Sequence, residues 1–182
     1  MTVPRYRHGT EIRVPRPAAG RKDRDRFISG KNRQNAVRFM VVTDVEDHVL
    51  WCSPARPASC ADITHARQLG LVKLLADGPA VEILADAGYQ GLGARTGGRV
   101  VTPPHRKFKK NAPDWYEEVH ERRCKAHSSR RIRVEHGRAH LKNWRALARH
   151  LGRRGHMSDT VQAVAGLLSH QQTADLASGR QM

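Results

Sequence analysis

The sequence lacks the features that mark secreted, disulfide-bonded and membrane-spanning proteins. It has only three cysteines, Cys52, Cys60 and Cys124, and their irregular spacing excludes a disulfide framework and a Cys-x-x-Cys zinc motif. No apolar run approaches the roughly 18 residues that a membrane helix requires. No apolar stretch follows the basic first residues, as a signal peptide would demand. These absences predict a cytoplasmic protein with reduced thiols.

Acidic residues are also scarce. The 182 residues include 17 aspartates and glutamates against 33 lysines and arginines, which gives a formal net charge of +16 at pH 7. Such a charge attracts polyanions and favours phosphate contacts through the release of counterions. Since no basic amphipathic stretch presents an aromatic or leucine-rich face, we expect nucleic acid rather than a membrane as the partner, and a location at the nucleoid.

The hydrophobic pattern predicts an α/β fold, with a mixed sheet flanked by helices. The apolar, β-branched run over 36–43 predicts a central strand, and a short acidic turn joins it to a second strand over 49–53. Residues 11–14 are interpreted as the end of an earlier strand, and 80–85 and 99–102 as two shorter strands. The order of these elements is typical of one α/β or α+β domain.

Helical spacing and capping signals predict four helices, over 59–75, 115–128, 130–151 and 158–168. Ser59 or Asp62 is expected to cap the first. The glycines between 88 and 98 predict a flexible loop, and the missing Lys-Ser/Thr ending excludes a phosphate-binding nucleotide loop. Trp51 and Trp144 are interpreted as core residues.

Two acidic residues stand out by position. Asp86 ends a buried strand, where carboxylates of open α/β sheets face a cleft and can bind a hard cation such as Mg²⁺. Glu135 shares a polar helix stripe with Arg131, Arg138 and Lys142, so that the acid can hold a metal while the cations hold DNA phosphates. A turn-capping aspartate and a solvated helix face with i,i+4 ion pairs are the ordinary alternatives.

The two acids belong to motifs that occur together. The segment 85–91 reads Ala-Asp-Ala-Gly-Tyr-Gln-Gly, and Arg131, Glu135 and Lys142 follow with three and six residues between them. In this, the chain resembles the insertion-sequence transposases of the DDE superfamily, in particular the group called insertion sequence five. Further matches are Ser29-Gly30-Lys31, the strand over 49–53, Pro57-Ala58-Ser59 leading to Asp62, Arg133-Val134-Glu135-His136, and Lys142-x-Trp144-Arg145.

The resemblance, which runs from about residue 8 to about residue 170, implies an RNase H-like fold and a two-metal mechanism with Mg²⁺ or Mn²⁺. It implies that Asp86 and Glu135 are metal ligands and that Lys142 contacts DNA, with the terminal repeats of the element as substrate. We therefore expect a basic, partly irregular segment with a remnant first strand over 1–30, a catalytic core over 31–172 and a flexible tail over 173–182. Whether the protein forms a homodimer is left open.

The chain departs from the family pattern at the first acid, where Asp-Gly-Thr is replaced by His8-Gly9-Thr10. An imidazole offers one nitrogen instead of two anionic oxygens, so His8 should weaken Mg²⁺ binding while Mn²⁺ tolerates it better. Asp23 and Asp25 are nearby acids in a basic loop and weak substitutes. Ser128 replaces the motif's tyrosine, and with seven residues before His8 we expect a truncated or decayed element of doubtful activity.

Other interpretations remain open. The basic loop over 105–110, with Lys107, Lys109 and Lys110, is expected to grip DNA rather than to be an ordinary solvated loop. The rival function is a non-catalytic DNA-binding protein or transposition repressor, and a small RNA-binding protein is a weaker third. His136 and His140 lie one turn apart and could share a zinc ion with Cys124, although surface histidines are the simpler interpretation.

Overall fold

A mixed six-stranded sheet forms the centre of the protein. The computed structural model describes residues 5–20, 22–78, 80–106, 113–148, 150 and 154–179, and for 5–9, 133–138 and 176–179 it describes the backbone alone. The strands are β1 (Arg5–Arg13), β2 (Ala36–Thr43), β3 (Val49–Cys52), β4 (Arg56–Pro57), β5 (Ile83–Ala85) and β6 (Val100–Val101). The α/β class that the hydrophobic pattern predicted is confirmed.

The helices are α1 (Asp62–Gln68), α2 (Leu71–Asp77), α3 (Leu92–Arg95), α4 (Asp114–Asn143), α5 (Arg145–Ala148) and α6 (Met157–Gly179). Short 3-10 turns occupy Arg24–Phe27, Ala87–Tyr89 and Arg154–His156. No helix among the described residues is both long enough and apolar enough to cross a bilayer.

The strand order is β3-β2-β1-β5-β6, and β4 also pairs with β2. The first three strands form an antiparallel meander, whereas β5 runs parallel to β1, and β6 runs parallel to β5. β1 is a nine-residue strand at the centre of the sheet. β1 pairs with β2 from Tyr6 to Arg13 and with β5 from Arg5 to Arg7, so it begins before the 11–14 segment that the sequence indicated. The division into a segment with a remnant first strand, a core and a tail stays a prediction.

Two apolar layers enclose the sheet. Because side chains of a strand alternate between faces, Phe39 and Val41 of β2 join the helices α4, α5 and α6 in one cluster, and Met40 joins α1, α2 and α3 in the other. This burial on both faces explains why the predicted strand over 36–43 is a nearly continuous apolar run.

Helix α6 presents a regular apolar stripe of Met157, Val161, Val164, Ala165 and Leu168 to the sheet. Its polar side chains also hold the edge strand β3. Gln172 Oε1 accepts from the Val49 amide at 2.9 Å, and Gln162 Nε2 donates to the Cys52 carbonyl at 3.0 Å. The helix runs to Gly179, well beyond its predicted end at 168.

Three predicted elements differ in the structure. The helix over 59–75 is divided into α1 and α2, because Gly70 adopts a left-handed conformation with φ 68° that ends a helix. The segment over 88–98 is not a flexible loop, since Tyr89 and Leu92 are fully buried and anchor a 3-10 turn and α3. The helices over 115–128 and 130–151 are one continuous helix to Asn143, in which the Ser129 hydroxyl donates back to the Lys125 carbonyl.

The two tryptophans differ from each other. Trp144 is partly buried against the cluster that contains α6, as expected. Trp51 is 36% exposed, so its interpretation as a core residue was wrong. The reason is that β3 is an edge strand, where a large apolar side chain finds fewer packing partners.

Replacing Phe39 by alanine should lower the free energy of unfolding by about 3–5 kcal/mol, the usual cost of deleting a fully buried aromatic ring. Leu50→Ala on the neighbouring strand is the matched control, because Leu50 is 47% exposed, and it should change stability by about 0.5 kcal/mol or less. Urea unfolding followed by circular dichroism measures both. Equal losses would contradict the packing described above.

Candidate active site

Asp86 stands at the carboxyl end of β5. It is the N-cap of the turn Ala87–Tyr89, and its Oδ1 accepts a hydrogen bond from the Gly88 amide at 2.9 Å. The side chain is half-buried. The capping role that the sequence offered as the ordinary alternative is therefore real, and it holds one carboxylate oxygen in a defined direction at the sheet edge.

The backbone of His8 lies beside Asp86. The parallel register pairs Arg5 with Ile83 and Arg7 with Ala85, so the next positions along the two strands are His8 and Asp86. Parallel strands end at the same edge of a sheet, which is where open α/β sheets collect functional groups. The His8 side chain lies outside the described residues, so the structure brings these two positions together at the level of the backbone.

Helix α4 packs beside the two parallel strands. His127, which is buried, donates from Nε2 to the Val101 carbonyl at 3.3 Å, and Arg130 forms an ion pair with Glu82. Burial lowers the pKa of His127, and Arg131 and Arg130 lower it further, while the Val101 hydrogen bond and the Asp86 charge oppose them. His127, Arg131 and Asp86 therefore share one electrostatic neighbourhood.

The third acid of the predicted site, Glu135, is on the same helix two turns after His127, and this helix contacts β1 and β2. The side chains of Glu135 and Arg138 lie outside the described residues, as do Lys107, Lys109 and Lys110. Lys142, near the end of α4, is half-buried. The separation of the Asp86 and Glu135 carboxyl groups is therefore a prediction that the described residues do not test.

The structure adds an acid that the sequence did not single out for the site. Ser59 or Asp62 was expected to cap α1, but Ala61 is its N-cap and Asp62 is the first helical residue. Instead its Oδ1 lies 3.4 Å from Nη1 of Arg38, a residue of β2. A β-carbon built on Gly88 would lie 2.6 Å from Asp62 Oδ2 and 3.1 Å from Asp86 Oδ1, so both carboxylates converge on one glycine.

The surroundings of Asp62 are poor in water. Burial raises the pKa of its carboxyl group to about 6 from the ordinary value of 3.8. The Arg38 charge opposes this rise, and the negative charges of Asp86 and Glu11 add to it. The side chain is 14% exposed, and such partial burial disfavours the ionised form.

Arg38 also connects Asp62 to a second buried acid. It forms an ion pair with Glu11 of β1 and donates from Nη1 to the Cys60 carbonyl at 3.0 Å. Glu11 accepts further hydrogen bonds from the buried Ser29 hydroxyl and from Asn32. Burial would raise the pKa of Glu11, but the hydrogen bonds from Arg38, Ser29 and Asn32 hold it below its ordinary value.

The described residues contain one group of three side chains that could hold a metal ion, Asp44, Glu46 and His48, with ligand atoms within 4.8 Å of one another. These residues form the turn between β2 and β3. Asp44 Oδ1 accepts from the backbone amides of Glu46 and His48 at 2.8 and 2.9 Å, so a local hydrogen-bonded turn explains the cluster.

The alternative zinc site gains no support from the described part of the chain. Cys124 Sγ lies 3.7 Å from Nε2 of His120, which in turn donates to the Pro104 carbonyl. His140 is exposed, and the His136 side chain lies outside the described residues. Asp23, considered as a substitute for the first acid, forms an ion pair with Arg26 in which both side chains are well exposed.

Comparison with known proteins identifies one family. The family model described as DDE superfamily endonuclease matches residues 8–169, from the first-acid position through most of α6. No curated protein and no solved structure matches the chain significantly.

Asp62 should make the stability depend on pH. Since its folded-state pKa is about 6 against an ordinary 3.8, the protonated carboxyl contributes stability that is complete below pH 3.8 and is lost as the pH rises through about 6. Asp62→Asn removes this titration. The stability of the variant relative to the parent should therefore rise between pH 3.8 and 6, as measured by urea unfolding.

Asp159→Asn provides the control, because this carboxylate is 82% exposed on α6. His127 is not among the causes of the Asp62 pKa shift, nor Asp62 among those of the His127 pKa shift, so the contribution of His127 cancels in the differences. A difference between Asp62→Asn and the parent that stays constant across this range would show that Asp62 titrates like an exposed acid.

Proposed function

The chain belongs to the DDE superfamily endonucleases, and we propose that it is a transposase of the insertion sequence five type, with an RNase H-like core, that cleaves and joins DNA at the terminal repeats of its element. The family implies nuclease chemistry on DNA. The observation that carries the proposal is the parallel pairing of β1 and β5, because it brings position 8, where the family has its first acid, beside Asp86. The mixed sheet with helices on both faces also supports an RNase H-like core.

The donor set suits a divalent cation of the Mg²⁺ or Mn²⁺ type. Asp86 offers a half-buried carboxylate held by the Gly88 amide, and Asp62 adds a second negative charge beside the same glycine. Hard cations prefer such oxygen ligands. Asp86 and Glu135 are the proposed metal ligands, with His8 in the place of the first aspartate. A bound ion would supply activation of a hydroxyl nucleophile and stabilisation of the leaving 3′ oxygen.

The remaining proposed residues bind and orient DNA. Arg131 lies one helical turn from His127 on α4, in the neighbourhood of Asp86. Arg138 and Lys142 continue along the same helix, and Lys107, Lys109 and Lys110 precede it. A chain with a net charge of +16 gains much of its DNA affinity from such phosphate contacts.

A non-catalytic DNA-binding protein or repressor is the second candidate, and His8 is the observation that favours it. A histidine beside Asp86 brings one neutral nitrogen where a carboxylate would bring two anionic oxygens. A chain that folds and binds DNA but holds its metal weakly would compete with an active transposase for the same DNA ends.

Restoring the acid should restore metal affinity. We expect His8→Asp to strengthen Mn²⁺ and Mg²⁺ binding by about tenfold or more, which corresponds to about 1.4 kcal/mol, and to increase nicking of a plasmid that carries the terminal repeats. Asp86→Asn and Glu135→Gln should weaken binding by a similar factor or more. Isothermal titration calorimetry measures the affinities, and a gel assay measures nicking.

Asp159→Asn, at an exposed position in the first turn of α6, should leave both quantities unchanged. Mn²⁺ affinity or nicking that survives Asp86→Asn unchanged would refute the metal role of Asp86. Parent and His8→Asp proteins that bind DNA but never nick it would favour the second candidate.

Phosphate contacts should appear in the salt dependence of DNA binding. Lys142→Gln should weaken binding similarly for all sequences and reduce the slope of log affinity against log salt concentration by about one unit. Arg131→Gln should do the same if it contacts a phosphate. Lys73→Gln is the control, because Lys73 is exposed on α2, which packs on the sheet face opposite to α4. An unchanged slope for Lys142→Gln would remove this residue from the DNA interface.

A further inference from the structure

Asp62 lies at the start of α1, outside the proposed set of metal ligands and DNA-binding residues. It follows Pro57-Ala58-Ser59, begins α1 and lies on the sheet face opposite to α4. Its carboxylate nevertheless does not face solvent. Arg38 reaches Asp62 Oδ1 and the Cys60 carbonyl at the same time, so the start of α1 is fastened to the central strand β2.

Gly88 is the point where Asp62 meets Asp86. Oxygens of the two carboxylates lie 2.6 and 3.1 Å from the position that a Gly88 β-carbon would take, and the Asp62 β-carbon lies 3.3 Å from it. Contacts this short leave no room for a side chain. The requirement for glycine here is steric, because Gly88 is not among the residues with positive φ.

The same glycine holds Asp86. Its amide donates to Asp86 Oδ1 at 2.9 Å, so any shift of the Gly88 backbone is transmitted to the carboxylate of the proposed metal ligand. Asp62 packs against the same glycine, with Oδ2 only 2.6 Å from the position of a β-carbon on Gly88. Arg38, anchored by Glu11 of β1, prevents Asp62 from moving away.

We propose that Asp62 is a positioning residue for Asp86, which packs against Gly88 to hold the Asp86 carboxylate in place and adds a fixed negative charge beside it. This inference rests on the proposed metal role of Asp86. The added charge matters more in this chain than in one with an acid at position 8, because a histidine there brings no negative charge. Asp62 acts through Asp86 and is not itself a metal ligand in this proposal.

The first measurement is the Mn²⁺ affinity of the full chain by calorimetry and electron paramagnetic resonance. Asp62→Asn keeps the shape of the side chain but removes its charge, and Asp62→Ala removes both. We expect affinity to fall by about tenfold for Asp62→Asn and further for Asp62→Ala, the range usual for residues that orient a metal ligand. Asp159→Asn should leave the affinity unchanged.

A double-variant cycle separates positioning from a general loss of structure. If Asp62 acts through Asp86, Asp62→Asn should reduce Mn²⁺ affinity several-fold less when Asp86→Asn is already present than it does in the parent, because only the direct effect of the Asp62 charge then remains. Effects that multiply independently would overturn the proposal. Gly88→Ala serves as a second variant in case Asp62→Ala does not fold, since the added methyl group pushes against both carboxylates and should lower Mn²⁺ affinity in the same way.

The second measurement needs no metal. Exchange of the Gly88 amide hydrogen, followed by NMR, reports whether its bond to Asp86 is held, and we expect it to be about tenfold faster in Asp62→Ala. Parent-like exchange together with parent-like Mn²⁺ affinity in both Asp62 variants would overturn the positioning role, even if Asp86→Asn abolishes binding. Mn²⁺ binding that Asp86→Asn leaves intact would instead refute the proposed metal role of Asp86. The exchange rate of the Gly88 amide hydrogen would then be the remaining test of whether Asp62 positions Asp86.

Discussion

The arrangement of the protein depends on the backbone hydrogen bonds of one strand, β1, which pairs antiparallel with β2 on one side and parallel with β5 on the other. The antiparallel side completes a meander that forms locally. The parallel side needs a crossover that contains α1 and α2. β1 is the strand that joins the β2 side of the sheet to the β5 side, and its parallel pairing with β5 places His8 beside Asp86.

Much of this architecture could be predicted because it follows from local signals. The apolar run over 36–43 and the turn after it identified the hairpin, and Asp86 was found because it ends a buried strand before glycines. The full length of β1 could not be predicted in this way. Its sequence is Arg-Tyr-Arg-His-Gly-Thr-Glu-Ile-Arg, and this polar segment owes its strand conformation to two neighbours rather than to apolar periodicity.

The parts of the site that sequence reasoning missed arise from tertiary contacts. Asp62 was considered, beside Ser59, as a helix cap because serine and aspartate at a helix start often have that role, but Arg38 and Gly88 give Asp62 different contacts. The only sequence signal was its place after Pro57-Ala58-Ser59, which carried no physical explanation by itself. Similarly, the glycines over 88–98 suggested a flexible loop. The sequence could not show otherwise, because Tyr89 and Leu92 are buried by distant elements, namely α1, α2 and β6.

Exposed and buried charges have different partners in this basic protein. Most of the excess arginine and lysine is solvated, whereas Arg38 is held between Glu11 and Asp62, each of which is mostly buried. A mostly buried arginine with two acids is costly to desolvate, and this cost is offset by its hydrogen bonds to Glu11 of β1 and to the Cys60 carbonyl and by its ion pair with Asp62 in the same segment as Cys60. The result is a rigid support beneath the carboxyl edge of the sheet.

The hold of α6 on β3 has a consequence for protein synthesis. The strand at the open edge of the sheet is complete by residue 52, but Gln162 and Gln172, which bond its backbone, lie more than 100 residues later. Until the ribosome has made α6, β3 presents unpaired peptide groups beside the exposed Leu50 and Trp51. Such an edge can pair with other chains, so the nascent chain exposes a site for aggregation until α6 emerges and its glutamines bond the strand.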